Sequence, residues 1–200
     1  MPGTQAKSGP WASIWLQPTI TFDRLVSKSP GYRVKTLAIV YGILVNLPGL
    51  FATSSEFHIS LLANVLLIIV FGGALGLAAI YVRGWLLLLL SRLFKLRADA
   101  TKLRTVLAWA TLPFSAAYLL AFLLVSLKQM SVPTSPAPLS ITLSLLSLIL
   151  GLAAWIWMLF ILVSGLAVIF RVERNRVIPF LVTYVLLVEL PLELGRRLLA

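Results

Sequence analysis

The stretch that decides the fold is LSITLSLLSLILGLAAWIWMLFILVSGLAVIF, residues 139–170, which contains no Asp, Glu, Lys, Arg or His. A bilayer has a hydrocarbon core about 30 Å thick, which a helix of roughly 20 residues crosses. Because the stretch exceeds that length, it predicts a transmembrane helix that tilts or projects beyond the bilayer.

The composition of the whole chain agrees with this local pattern. Hydrophobic residues make up 60% of the chain, charged residues 12%, and the mean hydropathy is +1.01. Soluble domains are about 45–50% apolar and about 25% charged. The composition therefore excludes an ordinary soluble protein. The absence of cysteine excludes disulfides, thiolate nucleophiles and iron–sulfur clusters.

Four further apolar stretches predict helices, and the first and the last of them are interrupted by proline and by polar or charged residues. They are residues 36–53, 59–82, 106–127 and 177–194. The apolar run of the second stretch resumes after Arg83 and reaches Leu90. The sequence therefore leaves open, by two helical turns, which part of this helix lies in the membrane. The predicted fold is all-α: a polytopic integral membrane protein with five transmembrane helices in one domain, residues 36–200.

The amino-terminal residues 1–35 predict a cytoplasmic segment with a short amphipathic stretch. Apolar residues lie at helical spacings on either side of Pro18, over residues 11–26. Such a segment lies in the headgroup layer of a membrane. The alternative is a disordered tail with a few aromatic side chains.

The basic residues indicate the orientation of the chain. Fourteen of the 17 Lys and Arg residues fall in the amino-terminal segment, residues 83–104 and residues 171–176. Since Lys and Arg are retained on the cytoplasmic side, the amino terminus is predicted inside and, after five crossings, the carboxyl terminus outside. Anionic headgroups then account for the net charge of +11, and no nucleic-acid partner is required.

Catalytic, cofactor and metal motifs are missing from the sequence. His58 is the one histidine, and it has no acidic partner at a telling spacing. The chain has no Gly-x-Ser-x-Gly, Gly-x-Gly-x-x-Gly or Walker-type loop. We therefore expect no enzyme, no cofactor and no metal site, and no intramembrane hydrolase in particular.

Small residues recur on two of the predicted helices. Gly72 and Gly76 form a Gly-x-x-x-Gly pattern, and Ser147 and Gly151 belong to a stripe of small residues in the fourth span. Such stripes allow helix backbones to approach closely. They serve packing within the chain or dimerisation, and we favour packing within the chain.

Two ionisable residues fall inside apolar stretches. Arg83 either lies in the hydrocarbon or snorkels from a helix that ends at Val82. Glu189 lies in the last stretch and is a conceivable partner of Arg83 if both helices take the deeper register. The pair suggests an alternative function, a small transporter or channel subunit that uses Arg83 and Glu189.

Two segments resemble a known family. Residues 14–22, Ile-Trp-Leu-Gln-Pro-Thr-Ile-Thr-Phe, resemble the Trp-x-x-Pro-x-x-Thr-Phe entry of prokaryotic members of the Yip family of Ypt/Rab-interacting membrane proteins. Residues 103–113, Leu-Arg-Thr-Val-Leu-Ala-Trp-Ala-Thr-Leu-Pro, are similar to the family's segment before its third transmembrane helix. The family often has a Gly-Gly pair after its second helix, where this chain has Lys95-Leu96.

The resemblance implies a membrane protein without catalytic activity. Eukaryotic relatives act in trafficking and recruit prenylated Rab GTPases through long amino-terminal regions, and this chain has about 35 residues there. We therefore expect it to organise membrane partners or lipids at the cytoplasmic leaflet of a prokaryotic plasma membrane. Its partners are the bilayer, other membrane proteins or a second copy, and no small-molecule substrate is identifiable.

The residues expected to carry this role fall into three sets. For placement at the membrane interface we select Trp15, Pro18, Thr21 and Phe22. For contact with headgroups or an acidic partner we select Arg97, Lys102 and Arg104. Pro113 is expected to kink the third helix near its cytoplasmic end. The alternative is that all of these residues fix only topology and packing.

Overall fold

The computed structural model describes residues 9–47, 60–130 and 137–191, and every regular element in those ranges is helical. The all-α prediction is confirmed for this part of the chain. His58 and the ends of the first and last predicted spans lie outside the described residues.

Three helices come first: α1 (Pro10–Leu16), α2 (Pro18–Lys28) and α3 (Val34–Asn46). Pro18 occupies the first position of α2, where its missing N–H and fixed φ suit a helix start. The turn into α3 contains Gly31, whose φ of 91° is a left-handed conformation that glycine adopts readily.

The second long apolar region forms one continuous helical stretch that contains α-helical and π-helical parts. Helix α4 (Leu61–Leu67) leads into a π-helical segment, Ile68–Gly72, and α5 (Gly73–Leu93) follows. The Ser60 hydroxyl accepts a hydrogen bond from the Ala63 N–H at 3.3 Å, which caps the start of α4.

The third region consists of α6 (Ala100–Ala110) and α7 (Leu112–Met130). The Asp99 carboxylate accepts hydrogen bonds from the N–H groups of Thr101 and Lys102 at 2.7 and 3.2 Å, and so caps α6. Thr111 forms a turn between the helices, and Pro113, which has no N–H, is the second residue of α7.

The last region contains α8 (Ala137–Phe170), α9 (Arg174–Tyr184) and a second π-helical segment, Val185–Glu189. Helix α8 has 34 residues, more than one crossing requires. Pro179 lies inside α9.

Within residues 9–47, 60–130 and 137–191, three helical stretches are long and apolar enough to cross a membrane, whereas the sequence predicted five spans in the whole chain. They are Leu62–Leu93, Ala100–Leu124 and Ile141–Phe170. The first predicted span corresponds to α3, which has only 13 residues and ends at Asn46, whose side-chain amide donates to the Gly42 carbonyl oxygen at 2.7 Å. The last corresponds to α9 and the segment after it, which carries Arg174, Arg176 and Glu189.

The chain divides into two compact units. Unit 1 is drawn from Met1–Tyr32, Arg83–Trp109 and Phe160–Ala200, and unit 2 from Arg33–Val82 and Ala110–Leu159. The core of unit 1 includes the fully buried Ile14, Phe22, Trp109 and Phe180. In unit 2, large apolar side chains such as Phe71 and Leu148 are exposed on the helices, as lipid-facing surfaces require.

Candidate functional site

The amino-terminal hairpin, defined as α1 and α2, begins unit 1. Gln17 separates its two helices, and Pro18 starts the second. The buried Thr21 hydroxyl lies 2.8 Å from the Ser13 hydroxyl and 2.9 Å from the Gln17 carbonyl oxygen, and can donate to either. This hydroxyl therefore links α2 to α1 and to Gln17, the residue between them.

The four residues selected for membrane placement occupy different environments. Pro18, Thr21 and Phe22 are buried, and Phe22 is wholly inaccessible, whereas Trp15 is 36% exposed. The exposed apolar surface of the hairpin also includes three residues that the sequence analysis did not select: Trp11, Leu16 and Ile20. The sequence feature that could have indicated this exposed surface is the presence of apolar residues on both sides of Pro18.

Trp109 of α6 joins the hairpin region to the central segment within unit 1. Its indole N–H donates to the Tyr32 carbonyl oxygen at 3.1 Å, and its ring packs against that of Trp11 with centroids 4.9 Å apart. Four residues earlier, the Thr105 hydroxyl accepts from the Gly31 N–H at 2.9 Å. The structure thus brings together the regions of the two segments that carry the family resemblance.

Gly165 of α8 makes room for the same packing. A Cβ there would lie 2.6 Å from Val106 Cγ1 and 2.9 Å from Phe22 Cδ2. Nearby in unit 1, the Arg174 guanidinium donates to the Thr19 hydroxyl at 2.7 Å. Neither Gly165 nor Arg174 was selected from the sequence, because no local pattern shows what a glycine faces in the fold.

The three basic residues selected for headgroup contact differ in exposure. Arg97 is exposed, and Lys102 and Arg104 are half-buried. A Cβ at Gly84 would lie 2.7 Å from the Arg104 Cγ, so the Arg104 side chain packs against this glycine. Arg97 is therefore the most accessible of the three. Lys95 in the same loop has a φ of 55°, in the left-handed region.

Arg83 and Glu189 form an ion pair in unit 1, although 106 residues separate them in sequence. The Arg83 Nε lies 2.9 Å from Glu189 Oε1, and an Arg83 terminal nitrogen donates to Oε2, also at 2.9 Å. The Tyr184 hydroxyl donates to Oε1 at 2.8 Å. Each charged side chain is 29% exposed.

Two helical features bring this pair together. Helix α5 continues past Val82 and through Arg83 to Leu93. Glu189 ends a π-helical segment, whose i→i+5 hydrogen bonds change the face that the following residue occupies. A bidentate pair that neutralises its own charge gives no support to the transport alternative.

The small-residue positions in unit 2 also differ from one another. A Cβ at Gly76 would overlap the Ala38 carbonyl oxygen and lie 2.7 Å from the Gly42 Cα. A Cβ at Gly72 would lie 3.0 Å from the Gly42 carbonyl oxygen. By contrast, a Cβ at Gly151 would meet nothing within 4 Å, and the Ser147 hydroxyl donates to Leu143 in its own helix at 3.0 Å.

The described residues indicate the class of protein to which the chain belongs. Every regular element among them is helical, three helical stretches are long and apolar enough to span a membrane, and no group of three or more His, Cys, Asp or Glu side chains there forms a metal site. These are the features of a helical, membrane-associated protein.

The family follows from a match to the Yip1 domain model over residues 12–192. The chain belongs to the Yip1 domain family, a non-catalytic family of membrane proteins, and the predicted resemblance is confirmed. No curated protein and no solved structure matches the chain.

Proposed function

We propose that this protein is a non-enzymatic membrane organiser that gathers protein partners or lipids at the cytoplasmic leaflet. The observation that supports this proposal is the structure of the amino-terminal hairpin, in which a buried side chain holds the hairpin in unit 1 while other apolar side chains are exposed. Phe22 fixes the hairpin in unit 1, while Trp15 and Leu16 remain exposed. Tryptophan and aliphatic side chains on a short helical segment suit insertion at headgroup depth.

The proposed topology has five crossings, with the amino terminus in the cytoplasm and the carboxyl terminus outside. Helix α3 and the region 174–191 supply the two shorter crossings, which local thinning of the bilayer accommodates. The support is the bias of basic residues toward alternate loops. In a prokaryotic plasma membrane this topology places the hairpin and the central loop on the same side.

The central loop, residues 94–99 and the start of α6, supplies the proposed contact with acidic partners or headgroups. Arg97 is exposed and Lys102 is half-buried. Because the Arg104 side chain packs at Gly84, replacing Arg104 would disturb packing as well as charge. Arg97 and Lys102 are therefore the better residues for a functional test.

The test is crosslinking in cells, purification in mild detergent and identification of the molecules that travel with the protein. The variant is Arg97→Glu with Lys102→Glu, and the matched control is Arg97→Lys with Lys102→Arg, which keeps both charges. We expect the charge-reversed variant to lose a protein or lipid partner that the wild type and the control retain.

Mapping the accessibility of both termini in the same cells separates loss of a partner from inverted topology. Unchanged partners and unchanged topology in the charge-reversed variant would contradict the proposed function.

A further inference from the structure

A cavity of about 260 Å³ lies in unit 1, at the amino-terminal hairpin. Its lining comes from α1, α2 and the turn after α2, and its polar side chains include Ser13, Arg24, Lys28, Ser29 and Tyr32. The volume accommodates a phosphate group with part of the alcohol attached to it. None of the residues that line the cavity is acidic.

The charge of the cavity favours an anion. Arg24 and Lys28 are four residues apart on α2, so their side chains lie on the same face of the helix. Like charges at this spacing destabilise a helix, and a bound anion removes the repulsion. The planar guanidinium offers several N–H donors, the ammonium offers three, and the Ser29 hydroxyl adds another, a donor set suited to phosphate oxygens.

The surroundings of the cavity indicate the source of that anion. The hairpin that lines the cavity also exposes Trp15, Leu16 and Ile20. A hairpin inserted by these side chains holds Arg24 and Lys28 at the depth of lipid phosphates, where a basic side chain is attracted to anionic lipid. A free phosphate compound would need no such apolar surface beside its site.

We infer that this cavity binds the phosphate of an anionic phospholipid headgroup, with Arg24 and Lys28 as its ligands. The inference rests on the proposed function, because it specifies the lipid that the hairpin recognises at the cytoplasmic leaflet. It assigns this recognition to α2, whereas the proposed function is tested on Arg97 and Lys102.

The experiment uses the full chain, reconstituted in phosphatidylcholine nanodiscs that contain a minor fraction of phosphatidylglycerol. Native mass spectrometry then measures how many phosphatidylglycerol molecules each chain retains and how tightly. The first variant, Arg24→Gln with Lys28→Gln, removes the two charges. The second variant, Ser29→Phe, occupies the cavity without changing charge. The matched control, Arg97→Gln with Lys102→Gln, removes two charges elsewhere.

We expect the wild type and the control to retain one phosphatidylglycerol, and both cavity variants to lose it. Because Arg24 and Lys28 would donate directly to the phosphate, the first variant should bind at least about thirtyfold more weakly, whereas the control, which loses only the general attraction of the surface, should weaken far less. Retention of the lipid by Ser29→Phe, or equal weakening in the first variant and the control, would overturn the inference, because general electrostatic attraction would then explain binding.

A competition arm identifies the source of the phosphate. Soluble glycerol 3-phosphate should fail to displace the retained lipid at concentrations where short-chain phosphatidylglycerol succeeds. Equal displacement by both would overturn the assignment to lipid. The crosslinking result for Arg97→Glu with Lys102→Glu is independent of this measurement, so failure of the cavity and failure of the proposed function are distinguishable.

Discussion

Helices contact one another by different means in the two units. In unit 1 the contacts use large side chains and hydrogen bonds: Trp109 donates to a carbonyl group, and Gly165 faces the side chains of Phe22 and Val106. In unit 2 glycine faces backbone, because Gly76 lies against Gly42 and the Ala38 carbonyl oxygen.

The difference shows two solutions to packing in a chain with abundant apolar surface. Close backbone approach gains van der Waals contact where lipid removes the hydrophobic driving force. Side-chain packing with specific donors and acceptors fixes one arrangement, because a buried polar group without its partner is costly. Unit 1, which contains residues 14–22 and residues 103–109 of the two segments that resemble the family, uses the more specific solution.

The strongest test of the comparison is a methyl group added between the backbones of unit 2. Gly76→Ala places a Cβ against the Ala38 carbonyl oxygen and the Gly42 Cα, and backbone cannot move aside as a flexible side chain can. We expect a loss of about 3 kcal/mol in the free energy of unfolding, measured by denaturation in mixed detergent micelles.

The matched control for this variant is Gly151→Ala in α8. A Cβ at Gly151 meets nothing within 4 Å, and alanine is about 0.5–1 kcal/mol better than glycine inside a helix. Similar stability changes in the two variants would show that the glycine contacts of unit 2 do not determine its packing.

Removing the charge of Glu189 tests the specific contacts of unit 1. Glu189→Gln leaves Arg83 half-buried beside a neutral amide, so we expect a loss of about 2 kcal/mol in the same unfolding measurement. Tyr184→Phe removes one hydrogen bond and should cost about 1 kcal/mol. The exchange Arg83→Glu with Glu189→Arg should recover part of the loss. No loss in Glu189→Gln would contradict a stabilising pair.

Replacing the buried tryptophan of unit 1 sharpens the same comparison. Trp109→Phe removes the donor to Tyr32 and part of the ring that packs against Trp11, so we expect a loss of about 1.5 kcal/mol. The control Trp15→Phe changes a partly exposed ring, and its stability should stay within about 0.5 kcal/mol of the wild type. Equal effects would show that Trp109 is not a specific anchor.

The smallest expected effect is a gain in stability at Lys95. A non-glycine residue in the left-handed region costs about 1–2 kcal/mol, and the greater unfolded-state entropy of glycine offsets about half of that, so Lys95→Gly should stabilise the protein by about 0.5–1 kcal/mol. Arg97→Gly is the control, since Arg97 is not among the residues with positive φ and glycine there only adds unfolded-state entropy. Thermal unfolding of both variants checks the prediction, and a gain in the control alone would refute it.

The sequence predicted where helices form better than it predicted which helices pack against each other. Uninterrupted apolar runs predict the long helices, and Pro18 lies where α2 starts, because apolar length and proline geometry are local properties. Pro113, which was expected to kink the third helix, is the second residue of α7. Two of the five predicted spans lack the length or composition of a candidate span: α3 has 13 residues, and charged side chains interrupt the last region.

The site depends on contacts that no local pattern encodes. The Gly72-x-x-x-Gly76 pattern predicted a close approach, but Gly42 is an isolated glycine and nothing near it in sequence marks it as the partner. Likewise, an amphipathic pattern could not tell that Phe22 faces inward. Arg83 and Glu189 were considered together, but their register depended on a π-helical segment that has no sequence signature.

The long separation between Arg83 and Glu189 has a consequence for the order of biosynthesis. Ribosomes add roughly 5–20 residues per second, so Glu189 is synthesised about 5–20 s after Arg83, since 106 residues separate them. The insertion machinery must therefore handle the Arg83 helix for several seconds before its carboxylate partner exists. The ion pair cannot guide that helix into the membrane. It forms only after the last part of the chain has been synthesised, and it then stabilises the folded protein.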